Sequence, residues 1–234
     1  DSNGAAGSTF SLVYRIYDGS STPTNIANIL QYHYGVRSKE KSIDMSTSHT
    51  ETISVPSYWV KGLVRNTDTS NDYYKIQDAI DNASSGHTLH IWAWTYNENV
   101  IVNQTVTIIG NATSNTTLNI TSGKGFEITS DDVSISKILV KGCGSTSGHN
   151  AFQVTGDDVT VEDVVGKDCS KGISISGSGA WVGNSSFIDN DSNGVEIWVG
   201  TSSTTSVTIY KNNISSNGKH GILTSEDDAI IRSN

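Results

Sequence analysis

Cysteines and pairs of aspartates recur in this sequence at an interval that could bring like side chains close enough to react or to bind an ion. Cys143 and Cys169 are 26 residues apart. The same interval separates the acidic pair Asp131–Asp132 from Asp157–Asp158. Neighbouring cysteines can form a disulfide, and stacked carboxylates repel unless a hard cation such as calcium lies between them. Aspartate also bonds nearby backbone at tight corners. Calcium therefore stays open as an alternative, and the sequence predicts no metal site.

A second group of residues could carry a modification. Asn-x-Ser/Thr sequences, the acceptors of N-linked glycan, occur at Asn82, Asn103, Asn111, Asn115, Asn119, Asn184, Asn190 and Asn213. Chance is one explanation, because Asn, Ser and Thr are all abundant. The close spacing of Asn111, Asn115 and Asn119 favours the other, an extracellular or cell-surface protein that carries glycan on some of these residues.

These residues lie within a repeat that must position them. One apolar column consists of Ile108, Ile135, Val161, Val182, Ile209 and Ile231. A second column, of small residues that each precede an apolar one, consists of Gly125, Ala151, Gly172, Gly194 and Gly221. The intervals of 21 to 27 residues are typical of stacked units, and the β-branched residues favour strands over helices. The pattern predicts an all-β parallel β-helix of about six coils.

The repeat brings the two cysteines into register. Each lies eight residues after the first-column residue of its coil. Stacked coils are about 4.8 Å apart, inside the Cα–Cα range of roughly 4.4–6.8 Å that a disulfide spans. We therefore predict a Cys143–Cys169 disulfide worth about 3 kcal/mol. Two reduced, buried thiols are the alternative. The next coils place Asn190 and Asn217 at this position, which predicts a ladder of asparagine amides.

The first part of the chain lacks the repeat. Alternating apolar residues from Phe10 to Ile16 and the segment Thr52–Val55 predict strands. We assign residues 1–70 to a small β-rich N-terminal region and residues 71–234 to a cap helix followed by the β-helix. The helix is predicted to begin near Asn71 or Asp72 because apolar residues recur at helical spacing, at Ile76, Ala79, Ile80 and Ala83.

An aromatic stripe is predicted on the first strand of the repeat. If Leu89, Ile91 and Ala93 point inward, the alternate residues face outward. Those residues are His90, Trp92, Trp94 and Tyr96. Exposed aromatic rings stack on sugars or anchor protein contacts, and the alternative is that the N-terminal region covers them.

Composition and charge exclude two kinds of partner. The net charge of −9 disfavours a nucleic-acid partner. No apolar run approaches the roughly 20 residues of a membrane span. Charged residues make up only 17% of the chain, which suits many short turns around a narrow core.

The segment from Ile76 to Gly110 carries a helix, a Gly turn, a strand, the run Thr95-Tyr96-x-Glu98 and a closing Ile108-x-Gly110. In this order it resembles the start of NosD-type and pectate-lyase-like right-handed parallel β-helix proteins. Val207–Ser225 resembles their repeat. The resemblance covers about two-thirds of the chain and implies a right-handed solenoid with a capping helix. It implies no single function, because this fold carries lyases, hydrolases, binding modules and surface proteins.

The catalytic sets of these enzymes are missing. A lyase needs an acidic calcium cluster and an Arg or Lys base, yet arginine occurs only at Arg15, Arg37, Arg65 and Arg232. Gly148–His149 is a lone dipeptide, without the clustered aspartates of a hydrolase. Copper would need clustered His, Met or Cys. We predict no catalytic residues and no cofactor.

These observations favour a non-catalytic extracellular structural protein, a subunit of a self-assembling surface layer, sheath or filament. The final coil begins at Ile231 and is incomplete, so we expect a homo-polymer joined through β-helix ends and N-terminal strands. The alternative is a polysaccharide-active enzyme, a lyase or hydrolase, or a carbohydrate-binding β-helix module with glycans as partners.

Overall fold

The structure is a computed structural model that describes residues 8–13, 50–55, 63–198, 207–225 and 228–234. The chain divides into two compact units, Asp1–Lys61 and Gly62–Asn234. The second unit thus begins before the predicted boundary at residue 71. The acidic residues Glu226 and Asp227 lie outside the described residues.

The strands follow one another with few long connections. In chain order they are β1 (Ser8–Val13), β2 (Thr50–Val55), β3 (Val64–Asn66), β4 (Asp72–Tyr73), β5 (Thr88–Ile91), β6 (Trp94–Tyr96), β7 (Val100–Val102), β8 (Thr107–Gly110), β9 (Thr116–Asn119), β10 (Phe126–Ile128), β11 (Ser134–Ser136), β12 (Leu139–Gly144), β13 (Asn150–Val154), β14 (Thr160–Glu162), β15 (Val165–Cys169), β16 (Lys171–Ile175), β17 (Trp181–Gly183), β18 (Ser186–Ile188), β19 (Val195–Ile197), β20 (Thr208–Tyr210), β21 (Asn213–Ser215), β22 (Ile222–Thr224) and β23 (Ile230–Arg232). Among the described residues, one helix, α1 (Ile76–Asp81), precedes β5.

Three sheets run along the second unit, and successive coils contribute one strand to each. Sheet I has the order β7-β10-β13-β16-β19-β22. Sheet II has the order β4-β3-β5-β8-β11-β14-β17-β20-β23, and sheet III has the order β6-β9-β12-β15-β18-β21. All pairs from β5 onward are parallel, whereas β3 pairs antiparallel with β4 and β5. The prediction of a parallel β-solenoid of about six turns is confirmed. In the first unit, β1 and β2 pair antiparallel.

The repeat columns predict the strand register correctly. In sheet II the ladder pairs Ile108 with Ile135, Ile135 with Val161, and Val161 with Val182. All four side chains are fully buried. Sheet I stacks Phe126 on Phe152 with ring centroids 5.7 Å apart. The core is therefore a narrow column in which each coil buries its apolar face against its neighbours.

The small-residue column reflects close packing. A Cβ added at Gly172 would lie 2.5 Å from the carbonyl oxygen of Gly194 and 2.7 Å from Cβ of Phe187. Such distances are shorter than van der Waals contact, so a larger residue would push the coils apart.

The corners between sheets II and III require left-handed backbone. The residues there are Lys137, Asp163, Asn184 and Lys211, with φ of 60°, 49°, 52° and 54°. The N–H group of Lys137 donates to the carbonyl of Asp163, and that of Asp163 to Gly183. Short polar side chains such as Asn and Asp tolerate this conformation, and the bond to the next coil satisfies the turning backbone.

The helix is shorter than predicted. Asp72 and Tyr73, placed at its start from the sequence, form β4 and pair with β3. The Nη1 atom of Arg65 lies 3.3 Å from a carboxylate oxygen of Asp72. Tertiary strand pairing thus overrides the helical spacing in this segment, and α1 begins four residues later, at Ile76.

The predicted aromatic stripe is wrong, because residues 88–96 are not one strand. The chain turns a corner at Trp92–Ala93, so β5 belongs to sheet II and β6 to sheet III. The alternation changes phase there. Tyr96 points inward, only 3% exposed, and its hydroxyl donates to the carbonyls of Leu63 and Trp92 at 2.6 and 3.0 Å.

The disulfide and the asparagine ladder form one column at the corner after sheet III. Cys143 and Cys169 are bonded, with Cα atoms 4.6 Å apart. The N–H of Cys169 donates to Oδ1 of Asn190 at 3.2 Å, and the N–H of Asn190 donates to Oδ1 of Asn217 at 3.1 Å. The side-chain amide of Asn190 donates to the carbonyl of Gly166. Each member of the column therefore satisfies the backbone of the coil beside it.

Replacing both cysteines, Cys143→Ser with Cys169→Ser, should lower the free energy of unfolding by about 3 kcal/mol, because the cross-link restrains the unfolded chain. Urea titration measures this. Reduction of the wild-type protein should give the same shift and leave the double variant unaffected. A wild-type midpoint that does not respond to reductant would contradict the prediction.

Asn190→Ala should cost roughly 2–4 kcal/mol, because it leaves the N–H of Cys169 and the carbonyl of Gly166 buried without partners. Asn103→Ala is the matched control, since Asn103 is exposed. Thermal unfolding of the two variants should separate them clearly, and equal melting temperatures would show that the ladder contributes nothing.

Candidate functional site

The outer face of sheet I carries two polar rows that cross the coils. One row, from the middle of each strand, consists of Ile101, Glu127, Gln153, Ser174, Glu196 and Leu223. The other precedes the small-residue column and consists of Lys124, Asn150, Lys171, Asn193 and His220. The residues that alternate with the first row fill the core, so the first row points outward by the period of the strand. The second row lies where the chain enters the strands, and its Asn150 and Asn193 are only 1% and 2% exposed.

A groove of about 650 Å³ lies on the first coils of this face. Its floor is Val100 and Ile101 in β7, and Gln77 of α1 lines one side. The loop Ser147–His149 lines it together with Lys124 and Glu127. Ile101 is 47% exposed, so the floor presents apolar surface to solvent. A concave site with an apolar floor and convergent polar groups has the general character of a ligand pocket.

Side-chain amides hold the walls of the groove in place. Oε1 of Gln77 accepts from the N–H of Ile101 at 2.7 Å, and its Nε2 donates to the carbonyl of Ile101 at 3.1 Å. Gln77 thereby pairs with β7 as a neighbouring strand would. The amide of Asn99 donates to the carbonyls of Ser122 and Lys124 at 3.1 and 2.6 Å, which fixes the turn beside Glu127.

The charged groups of the groove are paired. Nζ of Lys124 lies 2.5 Å from a carboxylate oxygen of Glu127, and both side chains are about one-third exposed. The remaining N–H groups of Lys124 and the remaining lone pairs of Glu127 are available to a ligand, because an ammonium has three N–H groups and a carboxylate several lone pairs. The pair is neutral overall, so the groove favours hydroxyl and amide ligands over strongly charged ones.

The disulfide positions the histidine of the groove. Nδ1 of His149 lies 2.9 Å from the carbonyl oxygen of Cys143. A carbonyl can only accept, so Nδ1 carries the proton and Nε2 is the acceptor of the neutral ring. The cross-link at Cys143 fixes the carbonyl that orients this ring.

The groove lacks a hydrolytic pair. Of the described residues that line it, Glu127 is the one carboxylate. Glycoside hydrolysis uses two carboxyl groups roughly 5–9.5 Å apart. No group of three or more His, Cys, Asp or Glu side chains in the described part of the chain is placed to hold a metal ion.

The stacked aspartates are turn residues at the corners of successive coils. Oδ1 of Asp131 accepts the N–H of Asp157 at 2.8 Å, and Oδ1 of Asp157 accepts the N–H of Ser178 at 2.7 Å. Asp132 and Asp158 adopt left-handed backbone, with φ of 55° and 54°. These bonds account for the aspartates as turn residues that tie successive coils together.

None of the predicted glycan acceptors lines the groove. None of the eight lies on a strand of sheet I. Asn82, Asn103, Asn111, Asn115, Asn184 and Asn213 are exposed, and Asn119 is half-buried. Asn190 is only 2% exposed, and its amide donates inside the ladder, so the folded coil offers no acceptor there. The sequence rule finds the tripeptide and not the burial of its asparagine.

Comparison with known proteins yields only a distant likeness. No family model matches the chain, and no curated protein matches it. Two solved structures of pectin methylesterase in complex with hexasaccharides, one of them a point mutant, match with TM-scores of 0.44 and 0.43 and 13% sequence identity. The match covers 69% of this chain and 65%, just under two-thirds, of each neighbour. The likeness to these right-handed parallel β-helix proteins concerns the fold, and the NosD-type family is not confirmed.

No helix in the described part of the chain has the length and apolar character needed to cross a bilayer.

His90 lies on sheet II, outside the groove, where its surroundings destabilise the protonated form of its ring. Its ring packs edge-on against Trp92 with centroids 4.4 Å apart, and among the described residues its buried Nδ1 has no hydrogen-bond partner. Burial, and then the positive charge of Lys137, lower the pKa of His90 below its ordinary value of 6.5.

The folded protein disfavours protonation of His90. The contribution of the neutral His90 ring to the free energy of unfolding is therefore present above about pH 6.5 and is lost as the pH falls below that value. The free energy of unfolding should decrease between about pH 7.5 and pH 5.5, and His90→Asn should flatten that decrease. Urea titrations across the range measure it. Identical slopes for the wild-type protein and the variant would contradict the assignment.

Proposed function

We propose that this protein is a carbohydrate-binding β-solenoid that holds a polysaccharide along the outer face of sheet I. The observation that carries the proposal is the groove, where the exposed Ile101 lies beside the polar groups of Lys124, Glu127 and His149. A sugar ring has an apolar C–H face and a polar rim of hydroxyls. Ile101 suits the first and the three polar side chains suit the second.

The polar row favours a polymer over a small sugar. Beyond Glu127, the row continues through Gln153 and Ser174 on the next two coils. Neighbouring strands are about 4.8 Å apart. A pyranose unit in an extended chain has a similar length, so successive sugars can meet successive coils. Glu127, Gln153 and the 9% exposed Ser174 can then each offer a hydrogen-bonding group to one sugar unit.

Charge favours a neutral polymer. The protein carries a net charge of −9, and Lys124, the one lysine of the described groove lining, is already paired with Glu127. An acidic polysaccharide would have to displace that pair against a negative overall field. Hydroxyl groups can instead share the pair without breaking it.

Binding is proposed without cleavage. A single carboxylate in the groove cannot supply both the acid and the base or nucleophile that glycoside hydrolysis needs. This favours the binding module over the lyase or hydrolase within the carbohydrate alternative.

The surroundings of the site agree with an extracellular location. A disulfide persists in oxidising compartments, and none of the acceptor asparagines lines the groove. We propose an extracellular or cell-surface protein. The structural role expected from the sequence, a homo-polymer joined through coil ends and N-terminal strands, stays a prediction. The groove favours the carbohydrate alternative.

We also infer that the coils wind right-handed, as parallel strand crossovers do, and that α1 caps the first coil. Ile76, Ala79 and Ile80 of α1 are fully buried. The N–H groups of Ile76 and Gln77 donate to the two carboxylate oxygens of Glu98 at 2.9 and 3.2 Å. Glu98 thus satisfies the helix N-terminus from the first coil.

The proposal predicts retention of the protein by at least one neutral polysaccharide and weaker retention by acidic ones. Glu127→Gln should weaken that binding about 10-fold or more, because a charge-assisted hydrogen bond is worth roughly 1.5–3 kcal/mol. Affinity electrophoresis in polysaccharide gels followed by calorimetry measures both effects.

Glu162→Gln on sheet II is the matched control and should bind as the wild-type protein does. Equal affinities for wild-type protein and Glu127→Gln, or no retention by any neutral polysaccharide, would contradict the proposal. Release of new reducing ends or unsaturated sugars would reinstate the enzyme alternative.

A further inference from the structure

Two side chains on sheet I, two coils beyond the groove, meet at the carboxylate of Glu196. Lys171 begins β16, and Asn193 precedes β19 on the next coil. Nζ of Lys171 donates to Oε1 of Glu196, and Nδ2 of Asn193 donates to Oε2 of the same residue at 2.6 Å. A backbone bond from Gly172 to the carbonyl of Asn193, 3.1 Å long, holds the two coils in register. One carboxylate thus bridges an amine and an amide of neighbouring coils.

The amide of Asn193 is also polarised from its other side. Nδ1 of His220, from the following coil, lies 3.1 Å from Oδ1 of Asn193. Donation from this nitrogen draws electron density from the amide carbon and stabilises negative charge that develops on the oxygen. Asn193 is 2% exposed, and the side chains of Lys171 and Glu196 are each 17% exposed, so the cluster is largely shielded from water.

We propose that Lys171 and Asn193 form an intramolecular isopeptide bond that cross-links adjacent coils. A carboxylic acid that contacts both an amine and an amide can carry the proton between them. His220 polarises the carbonyl, Glu196 relays the proton, Lys171 is the nucleophile and Asn193 is the acyl group. The product is a covalent tie on the outer face of sheet I.

The reaction needs no reagent beyond these side chains. The ammonium of Lys171 gives a proton to Glu196, and the neutral Nζ attacks Cγ of Asn193. The Nζ–Cγ bond forms and the Cγ–Nδ2 bond breaks. Nδ2 takes up the proton that Nζ loses and the proton held by Glu196, and it leaves as an ammonium ion. The carboxylate of Glu196 is regenerated, and nothing is oxidised or reduced.

A competing reaction of Asn193 is restrained. Asparagine followed by glycine can cyclise when the glycine nitrogen attacks the side-chain amide. The N–H of Gly194 is engaged with the carbonyl of His220 at 3.0 Å, so the strand ladder holds that nitrogen in place.

The groove contains a natural comparison. Lys124 and Asn150 occupy the same row two repeats earlier, and Gly125 donates to the carbonyl of Asn150 at 2.9 Å. The residue that contacts the amide of Asn150 is Gln153, which cannot relay a proton as a carboxyl group does. Lys124 pairs with Glu127 on its own coil instead. This pair should stay uncross-linked.

The test is mass spectrometry of the full chain, made in a host without N-glycosylation and reduced before measurement. The expected intact mass is that of the sequence less one ammonia. Tryptic mapping should find no cleavage after Lys171 and one branched peptide that joins Lys171 to Asn193. Glu196→Gln and Lys171→Arg should each restore the full mass, and Glu162→Gln, the matched control, should keep the loss.

Three results would overturn the proposal. The first is a wild-type chain of full mass that trypsin cleaves after Lys171. The second is loss of ammonia with that cleavage intact, which would identify a cyclised Asn193–Gly194. The third is a cross-link that persists in Glu196→Gln or that also joins Lys124 to Asn150. The wild-type measurement decides the question even if a variant fails to fold.

Discussion

The structure depends on one constraint, the vertical pairing of each coil with the coil beside it. Every strand of sheets I to III from β5 onward takes its backbone partners from strands one coil away, so the apolar, small and polar columns must all stay in register. The corners follow the same rule. Left-handed residues such as Asp163 and Asn184 donate their N–H groups to the neighbouring coil, and the asparagine ladder does so with side chains. A coil that slipped by one residue would turn its core outward.

This constraint also creates the proposed binding surface. Because a column places one residue of each coil at a fixed height, an outward column is a line of side chains at strand spacing. On sheet I that line is polar and begins in a groove with an apolar floor. The same stacking brings Lys171 and Asn193, from successive coils, to the carboxylate of Glu196, and it places His220 of the following coil against Asn193. A flat helical surface offers no comparable periodic row, so binding of a linear polymer is a natural use of this fold.

The sequence predicts the stacked coils and the disulfide because both depend on periodicity, and periodicity survives tertiary packing. Prediction from the sequence fails where a local residue pattern is interrupted and no residue type marks the interruption. Tyr96 turns inward because the chain bends at Trp92–Ala93 with neither Gly nor Pro to mark the corner, and Asp72 joins a strand through pairing with a distant segment. The sequence pattern does not predict the groove, because the walls of the groove come from separate coils. One signal was present: the coil that starts at Ile135 has 26 residues and the next has 21, and the extra length includes the loop that carries His149.

The central claim is that the outer face of sheet I, and not another face, receives the polysaccharide. Hydrogen–deuterium exchange with and without a neutral oligosaccharide tests it most directly. The account predicts slower exchange at Gly123–Lys124 and at Ser147–His149, with the strands of sheet II unchanged. Slower exchange confined to sheet II or sheet III, with the groove unaffected, would contradict it.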